Sequence, residues 1–368
     1  MKFTANKRAL ARAVGRAAAI GEAVTVAATH DSSGQHAAIS ASDGDIALSV
    51  RVRVDLVRAG SFRADARTLK AALANARAKD TVTLAVEDGA NMIGAAPAAD
   101  AGRMWVTDGE IRRTVAESEA WPVGVKLTAG GPRPIWRHGD LTAGLDRVAF
   151  AMSTEETRYY LRGVFLFRAG ERVGMAASDG HRLAVAETPL DTGDGDDWPE
   201  NGADAGLILP AKAVKALRQA AGGDGDDMAF VRVAPDGIEA SGPDYELTAR
   251  AVDGRFPDFR RIVPDTAGEG RATVHFDIGA FGASIRRAKP AKGETVLLNG
   301  YAQIGQTVID GGPRLNGDAI RFNASYLADF GSAFGGPVNM NYDTAGGPAV
   351  FQSPAAPGYL GLLMPMRA

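Results

Sequence analysis

The chain of 368 residues contains no cysteine. A disulfide, a thiolate metal site and a cysteine nucleophile are therefore excluded together, and several enzyme classes go with them. Histidine is scarce, with five scattered residues and no metal-ligand spacing. No apolar run reaches the roughly 18 residues that a bilayer-spanning helix needs. Met1-Lys2-Phe3-Thr4 leads into a charged helical pattern rather than the apolar centre of a signal peptide, so the expected location is the cytoplasm. An excess of one charge is missing as well: a net charge of −3 argues against a surface coated with basic residues, although it leaves room for a local basic face. What remains is globular in composition, 45% hydrophobic and 23% charged, and long enough for two or three domains.

The stretch Gly174 to Leu190 organises the reading. Its small and apolar run breaks at Asp179-Gly180 and resumes in alternation at Leu183 and Val185. Asp-Gly tolerates the positive φ angles of a tight turn, so two strands joined there are expected. Ala41-Ser42-Asp43-Gly44, followed by Ile46, Leu48 and Val50, repeats the same tetrapeptide pattern and the same alternation. A chain that repeats itself in this way is expected to contain copies of one unit.

Taken in order, the first helix is expected from about Ala5 to Ile20, with Arg8, Arg12 and Arg16 on one face and Leu10, Val14 and Ala17 opposite. Strands are expected at 37–40, 46–54 and 56–62. A second helix over 65–78 carries Arg67, Lys70 and Arg77 on one side and Leu69, Leu73 and Ala76 on the other, and strands resume at 81–86 and 104–106. This first unit closes near Trp121-Pro122. The second opens with a helix over 136–153, with Leu141, Leu145 and Val148 inward and Arg137 and Arg147 outward. Strands over 160–167 and 174–187 follow, then a helix in which Lys212, Lys215 and Arg218 lie opposite or beside Val214 and Leu217, then strands over 229–233 and 245–252. The third has helices over 276–288 and 324–334, the former with Ile278, Phe281 and Ile285 and ending in Arg286-Arg287. Ser61-Phe62-Arg63-Ala64-Asp65, Ile208-Leu209-Pro210-Ala211-Lys212 and Arg321-Phe322-Asn323-Ala324-Ser325 read as three versions of one strand-to-helix junction. The fold class is therefore α+β, with three repeated domains expected at 1–124, 125–263 and 264–368, each with two helices packed on antiparallel sheet and long enough for its own core. The acidic, glycine-rich stretches 191–206 and 222–227 read as solvated turns, because the first fails the EF-hand ligand order and the second, a single copy followed by Ala229, fails the calcium-roll stacking rule.

Several widely spread motifs carry a family resemblance. They are Met1-Lys2-Phe3-Thr4, Arg158-Tyr159-Tyr160-Leu161-Arg162-Gly163, Ser178-Asp179-Gly180-His181-Arg182-Leu183-Ala184 and Asp253-Gly254-Arg255-Phe256-Pro257-Asp258-Phe259-Arg260-Arg261. Phe322-Asn323-Ala324-Ser325-Tyr326-Leu327 and Met364-Pro365-Met366-Arg367 complete the set. With them the chain resembles the bacterial sliding clamp, the beta subunit of DNA polymerase III, over its whole length and most strongly in the second unit. The resemblance implies a homodimeric, head-to-tail ring of six domains, lined by helices around double-stranded DNA and without a cofactor or metal. Lys7, Arg8, Arg12, Arg16, Arg67, Lys70, Arg77, Arg147, Lys212 and Lys215 would then attract duplex phosphates without regard to sequence. Enclosure rather than affinity would retain such a ring on DNA.

The resemblance also implies a groove for short peptides from the polymerase III catalytic subunit, the clamp loader and other proteins carrying a clamp-binding motif. Its wall would include Arg158, Leu161, Ser178, Gly180, His181, Arg182, Leu183, Pro257, Arg261 and Ile262, with Leu362, Met364, Pro365 and Met366 from the chain end and Asn323 and Tyr326 at the rim. Methionine suits such a surface because its unbranched thioether repacks around different partners.

Some residues depart from the family pattern. The loop Ile20-Gly21-Glu22-Ala23-Val24-Thr25 lacks the arginine that the family points at DNA. Arg286-Arg287 stands where an apolar pair helps chains meet, so closure is expected to rest on salt bridges or to be weak, and the helix 324–334 carries Asp329 and no cation. The chain thus reads as a divergent clamp, with the main replicative copy, a second copy and one carried by a mobile element left open. One rival reading is a clamp-like decoy or resistance factor that binds partner peptides without being loaded on DNA. Another makes Ser178, Asp179 and His181 a hydrolytic cluster, although no Gly-x-Ser-x-Gly elbow accompanies them.

Overall fold

A computed structural model describes residues 1–77, 80–86, 103–118, 124–131, 133, 135–189, 198–201, 204–220, 227–266, 268, 270–315, 319–343 and 346–366. The expected boundary at Trp121-Pro122, most of the loop 191–206, most of the turn 222–227 and Arg367 lie outside these residues.

The first repeat runs β1 (Lys2–Asn6), α1 (Lys7–Ala18), β2 (Ala23–Asp31), β3 (Gly34–Ser42), β4 (Ile46–Arg58), β5 (Gly60–Asp65), α2 (Ala66–Ala74), β6 (Thr81–Val86), β7 (Met104–Thr107) and β8 (Arg112–Val115). The second runs β9 (Ile135–Arg137), α3 (His138–Val148), β10 (Gly163–Ala169), β11 (Arg172–Ser178), β12 (Arg182–Pro189), the two-residue β13 (Glu200–Asn201), β14 (Asp204–Pro210), α4 (Ala211–Ala220), β15 (Met228–Ala234), β16 (Gly237–Ser241) and β17 (Tyr245–Arg250). The third runs β18 (Arg271–Asp277), α5 (Ile278–Ala288), β19 (Thr295–Asn299), β20 (Tyr301–Ile304), β21 (Thr307–Ile309), β22 (Ile320–Asn323), α6 (Ala324–Phe334), β23 (Pro337–Asp343), β24 (Ala349–Ser353) and β25 (Ala356–Leu363). Each copy is thus built from strand, helix and antiparallel strands, twice over.

The helices begin where a strand ends because the last strand residue serves as the cap. Asn6, Asp65, Asp277 and Asn323 each accept a hydrogen bond from a first-turn backbone N–H of α1, α2, α5 and α6. Pro210 holds the corresponding place before α4. The expected inward faces are buried: Leu10, Val14 and Ala17 on α1, Leu69 and Leu73 on α2, Leu141, Leu145 and Val148 on α3, Val214 and Leu217 on α4, and Ile278, Phe281 and Ile285 on α5. Each large side chain so enclosed stabilises the fold by roughly 1.5–3 kcal/mol. In the third repeat α5 and α6 cross at two glycines: a Cβ on Gly331 would lie 2.8 Å from the Cα of Gly282 and 2.6 Å from the carbonyl oxygen of Ile278.

Some boundaries differ from the expectation. The second helix is shorter, ending at Ala74 with Asn75 as its cap. The third helix starts at His138 and gives way to a single 3-10 turn at Ala149–Ala151, which leaves Arg137 on β9. Tyr160 lies in a 3-10 segment, Glu156–Leu161, and the strand expected there begins at Gly163.

The described residues form two compact units, Met1–His138 with Lys215–Arg250, and Gly139–Val214 with Ala251–Ala368. In the first unit all strands join one 12-stranded sheet, in which β17 of the second repeat lies beside β4 of the first, with Ala249 opposite Ile46 and Tyr245 opposite Val50. In the second unit a nine-stranded sheet places β25 beside β12, with Leu363 opposite Arg182 and Tyr359 opposite Ala186, and β21-β20-β19-β22 form a separate four-stranded sheet. Every named pairing is antiparallel. The last strand of a repeat therefore pairs, in both cases, with the strand that follows the corresponding hairpin of the repeat before it.

Candidate functional site

The two Ser-Asp-Gly turns are the same structure. Gly44 and Gly180 have φ angles of +99° and +88°, which glycine adopts without the Cβ penalty. The hydroxyls of Ser42 and Ser178 accept from the N–H groups of Gly44 and Gly180 at 3.2 and 3.1 Å. One carboxylate oxygen of Asp43 accepts from Asp45 and Ile46, and one of Asp179 accepts from His181 and Arg182, all at 2.8–3.1 Å. At Gly180 a Cβ would also come within 2.4 Å of the Arg158 Nη1, the end of a flexible side chain that would have to swing aside.

From the second turn a charged network spreads through the second unit. Arg182 is only 8% exposed. Its Nε donates to Asp179 Oδ2 at 2.9 Å, its Nη1 to Asp329 Oδ2 at 2.7 Å, and its Nη2 to the carbonyl of Phe150 at 2.7 Å. The guanidinium lies 4.1 Å from the centre of the Tyr326 ring and 5.1 Å from that of Phe150. Tyr326 in turn stacks against His181 with ring centres 6.4 Å apart. Burial, reinforced by the neighbouring Asp179 carboxylate, raises the pKa of the Tyr326 phenol. Met364 donates its backbone N–H to the carbonyl of His181, and Met366 to that of Arg321, which fixes the chain end beside the turn.

An apolar floor supports this corner. Leu161, Leu183 and Leu362 are buried in one cluster with Phe165, Phe167, Phe256 and Phe259, and the last two hold the segment that carries Pro257, Arg261 and Ile262. Around the floor, Ile262, Met364 and Met366 expose between 41% and 53% of their surface. Arg158 donates to the carbonyl of Asp179 and pairs with Glu155 at 3.2 Å, and Asn323 caps α6 at Ser325 and Tyr326. Leu161, Ser178, Gly180, His181, Leu183, Asn323, Tyr326, Leu362 and Met364 thus share this neighbourhood through contacts or chain adjacency. Arg182 sits beneath it as a strut. The serine, aspartate and histidine of the hydrolytic reading are engaged otherwise: Ser178 donates to the carbonyl of Arg182, Asp179 accepts from Arg182, and His181 stacks on Tyr326.

Sequence reasoning did not single out Asp329, Phe150 or Tyr159 for this corner. Tyr159 is 53% exposed and meets Tyr160 edge to face at 5.7 Å. Its place between Arg158 and Tyr160 was the available signal. Nothing local marked Asp329, which reaches Arg182 across 147 positions.

The expected cationic face divides. Arg8, Arg12, Arg67, Lys70, Arg77, Lys212 and Lys215 are exposed. In the first unit a cleft of about 730 Å³ lies between α1 and α2, with small residues such as Ala18, Gly21, Ala71 and Ala74 along it and Arg67 and Lys70 among its lining. Lys7 is half-buried and donates to the carbonyl of Ala76. Arg147 is half-buried, with its guanidinium 5.6 Å from the Tyr359 ring centre. Arg16 departs from the expected cationic stripe: it is 8% exposed and pairs with Asp244 at 3.5 Å, and burial lowers its pKa despite that carboxylate. Angular drift explains the departure: at 3.6 residues per turn, two steps of four residues carry Arg16 about 80° round the helix from Arg8, toward the buried side.

Comparison with known proteins adds to this geometry. Residues 138–258 match the family model for the central domain of the DNA polymerase III beta subunit. The beta sliding clamp of Caulobacter vibrioides strain NA1000 is 28% identical over 244 residues, 61% of this chain and 62% of that protein. That of Escherichia coli K12 is 36% identical over 120 residues, 33% of this chain and 30% of that protein. The chain thus spans less than two thirds of the length of these curated relatives. Among solved structures, the DNA polymerase sliding clamp from Caulobacter crescentus superposes with a TM-score of 0.76 at 24% identity, covering 100% of both chains. The sliding clamp of Pseudomonas aeruginosa bound to griselimycin does so with a TM-score of 0.79 at 23% identity, again over 100% of both.

Proposed function

We propose that this chain, a divergent member of the bacterial sliding-clamp family, closes with a second copy around duplex DNA and tethers partner proteins there as a non-catalytic processivity factor. The observation that carries the reading is the repeated strand pairing, β17 on β4 and β25 on β12. By the same rule β8 would pair with the corresponding strand of a preceding repeat, and β21 with the last strand of a following one. Among the described residues β8 and β21 are sheet edges without such partners, and a second copy supplies both. The three repeats serve in this reading as domains 1–124, 125–263 and 264–368.

The repeats also give the register of the contact. Both internal joins follow one rule: Ile46, three residues after Asp43, meets Ala249, and Arg182, three residues after Asp179, meets Leu363. In the third repeat Arg321, Leu297, Gln303 and Val308 lie side by side as Ile208, Phe165, Ala176 and Val185 do in the second, each row starting two residues before the cap of the next helix, which puts Val308 in the place of Val185 and Thr307 in that of Ala184. In the first repeat Met104 pairs with Val115 as Ala349 pairs with Leu363, which puts Val115 in the place of Leu363. Ala184 meets Gly361, two residues before Leu363, so Thr307 then faces Arg113 of the second copy, Val308 faces Arg112 and Ile309 faces Ile111. Val308 is 60% exposed on this edge, as a residue awaiting a neighbour would be. Arg113 is held at 3.0 Å by Asp108 of its own hairpin, so its charge at this contact is matched by a carboxylate.

The exposed cations of α1, α2 and α4 support sequence-independent attraction to duplex phosphates. The corner around His181 and Met364 supports docking of short apolar peptide segments, with the polymerase and clamp loader as the expected partners. The test is retention on circular against linearised DNA after loading: a ring is kept by the circle and slides off free ends. The second reading, a peptide-binding decoy that is not loaded, draws on the withdrawal of Arg16 from the cationic stripe; it predicts equal, weak retention on both forms.

A further inference from the structure

We propose that Asp329 is a positioning residue for the peptide groove, through which occupancy of the groove is coupled to the seam between the second and third repeats. The proposal rests on the groove reading above and deepens it. Asp329 stands on α6 of the third repeat, partly open to solvent, whereas the Arg182 side chain it holds at 2.7 Å is 9% exposed. Arg182 belongs to the turn of the second repeat, so this ion pair ties one repeat to the other. The guanidinium it fixes forms the face against which Tyr326 lies, and Tyr326 carries the ring of His181. The His181 carbonyl in turn holds the backbone of Met364. Asp329 therefore touches no groove surface itself but sets the ring planes and the chain end that do.

Removing one acceptor from a buried guanidinium leaves a donor without a partner, and the side chain shifts toward its remaining bonds with Asp179 and Phe150. The stack of Tyr326 and His181 follows it. Coupling is reciprocal, so a ligand that favours the ordered stack also strengthens the hold of Arg182 on α6.

The experiment measures binding of griselimycin by calorimetry to the full chain, together with hydrogen exchange of α6 amides with and without the compound. Asp329→Ala is expected to weaken binding about fivefold or more, with Asp329→Asn between it and the unsubstituted chain. Ligand-induced slowing of exchange at Leu327 to Phe330 is expected in the unsubstituted chain and lost in Asp329→Ala. Arg271→Ala is the control for a merely structural effect: it removes bonds to the carbonyls of Asn341 and Pro348 elsewhere in the third repeat and is expected to leave affinity within about twofold. An Asp329→Ala affinity within about twofold of the unsubstituted chain, or an equal loss in Arg271→Ala, overturns the proposal. Ile262→Ala and Met364→Ala separate it from the reading on which it rests. If these leave affinity unchanged, or if the unsubstituted chain does not bind, the groove reading falls and the proposal with it. If they weaken binding and Asp329→Ala does not, only the proposal falls.

Discussion

Placing a positive charge at Val308 tests the proposed ring contact at a single register. A cross-strand pair of opposite charges contributes roughly 0.2–1 kcal/mol, and like charges facing each other cost a similar amount. Val308→Arg, placed opposite Arg112, therefore costs one contact up to about 1 kcal/mol. A closed two-chain ring contains the contact twice, so the expected change is up to about 2 kcal/mol, or up to roughly 30-fold in the dimer dissociation constant. Arg112→Asp alone faces an apolar side chain and should change the dimer little, and adding it to Val308→Arg should restore most of the loss. Sedimentation velocity over a dilution series reads all four proteins, and repetition in high salt should shrink the differences, because exposed charges are screened. The reasoning is refuted if the double variant is as weak as Val308→Arg alone, since that would place Val308 and Arg112 in different registers. It is refuted equally if the unsubstituted chain stays monomeric at every concentration.

Other perturbations probe separate parts of the argument. Gly180→Ala should destabilise the chain by roughly 1–2 kcal/mol, seen as a lowered Tm, because alanine is strained at a φ of +88° and its methyl meets Arg158. The carboxylate of Asp108 is held well below the usual carboxylate range, chiefly by the backbone N–H groups of Ile111 and Arg77. Its stabilising share is therefore present above the unfolded carboxylate pKa of about 4 and lost as pH falls toward the folded value. Thermal melts should show Asp108→Asn less stable near neutrality and less sensitive to acid than the unsubstituted chain. Arg8→Ala with Arg12→Ala should reduce the salt slope of duplex binding by up to about 2, whereas Arg16→Ala should leave the slope and lower the Tm.

The sequence made the repeats and the six helices among the described residues legible because each helix shows a short apolar stripe at the right spacing and three of them begin at a recognisable junction. Cap chemistry explains why the junction could be found three times: Asp65, Pro210 and Asn323 are residues that start helices. Strand limits were less legible. Tyr160 has strand-forming character, yet the carbonyl of neighbouring Tyr159 accepts from Arg162 in a tight turn that ends only at Gly163. Burial of Arg16 was hidden for a different reason. Its partner Asp244 is 228 positions away in sequence and reaches it only because β17 joins the sheet of the first repeat. The turn at Asp179-Gly180 could be read from its dipeptide, but the network beyond it depends on α6, which no local pattern connects to Arg182.

The joins inside the chain and the contact proposed between chains differ in length. β4 with β17 and β12 with β25 each align five residue pairs, and both are continuous with large sheets, whereas β21 offers only Thr307 to Ile309. A circle assembled from such links parts first where it is sewn with the fewest stitches. Admission of a DNA molecule would then leave every chain intact and call for the separation of one short edge.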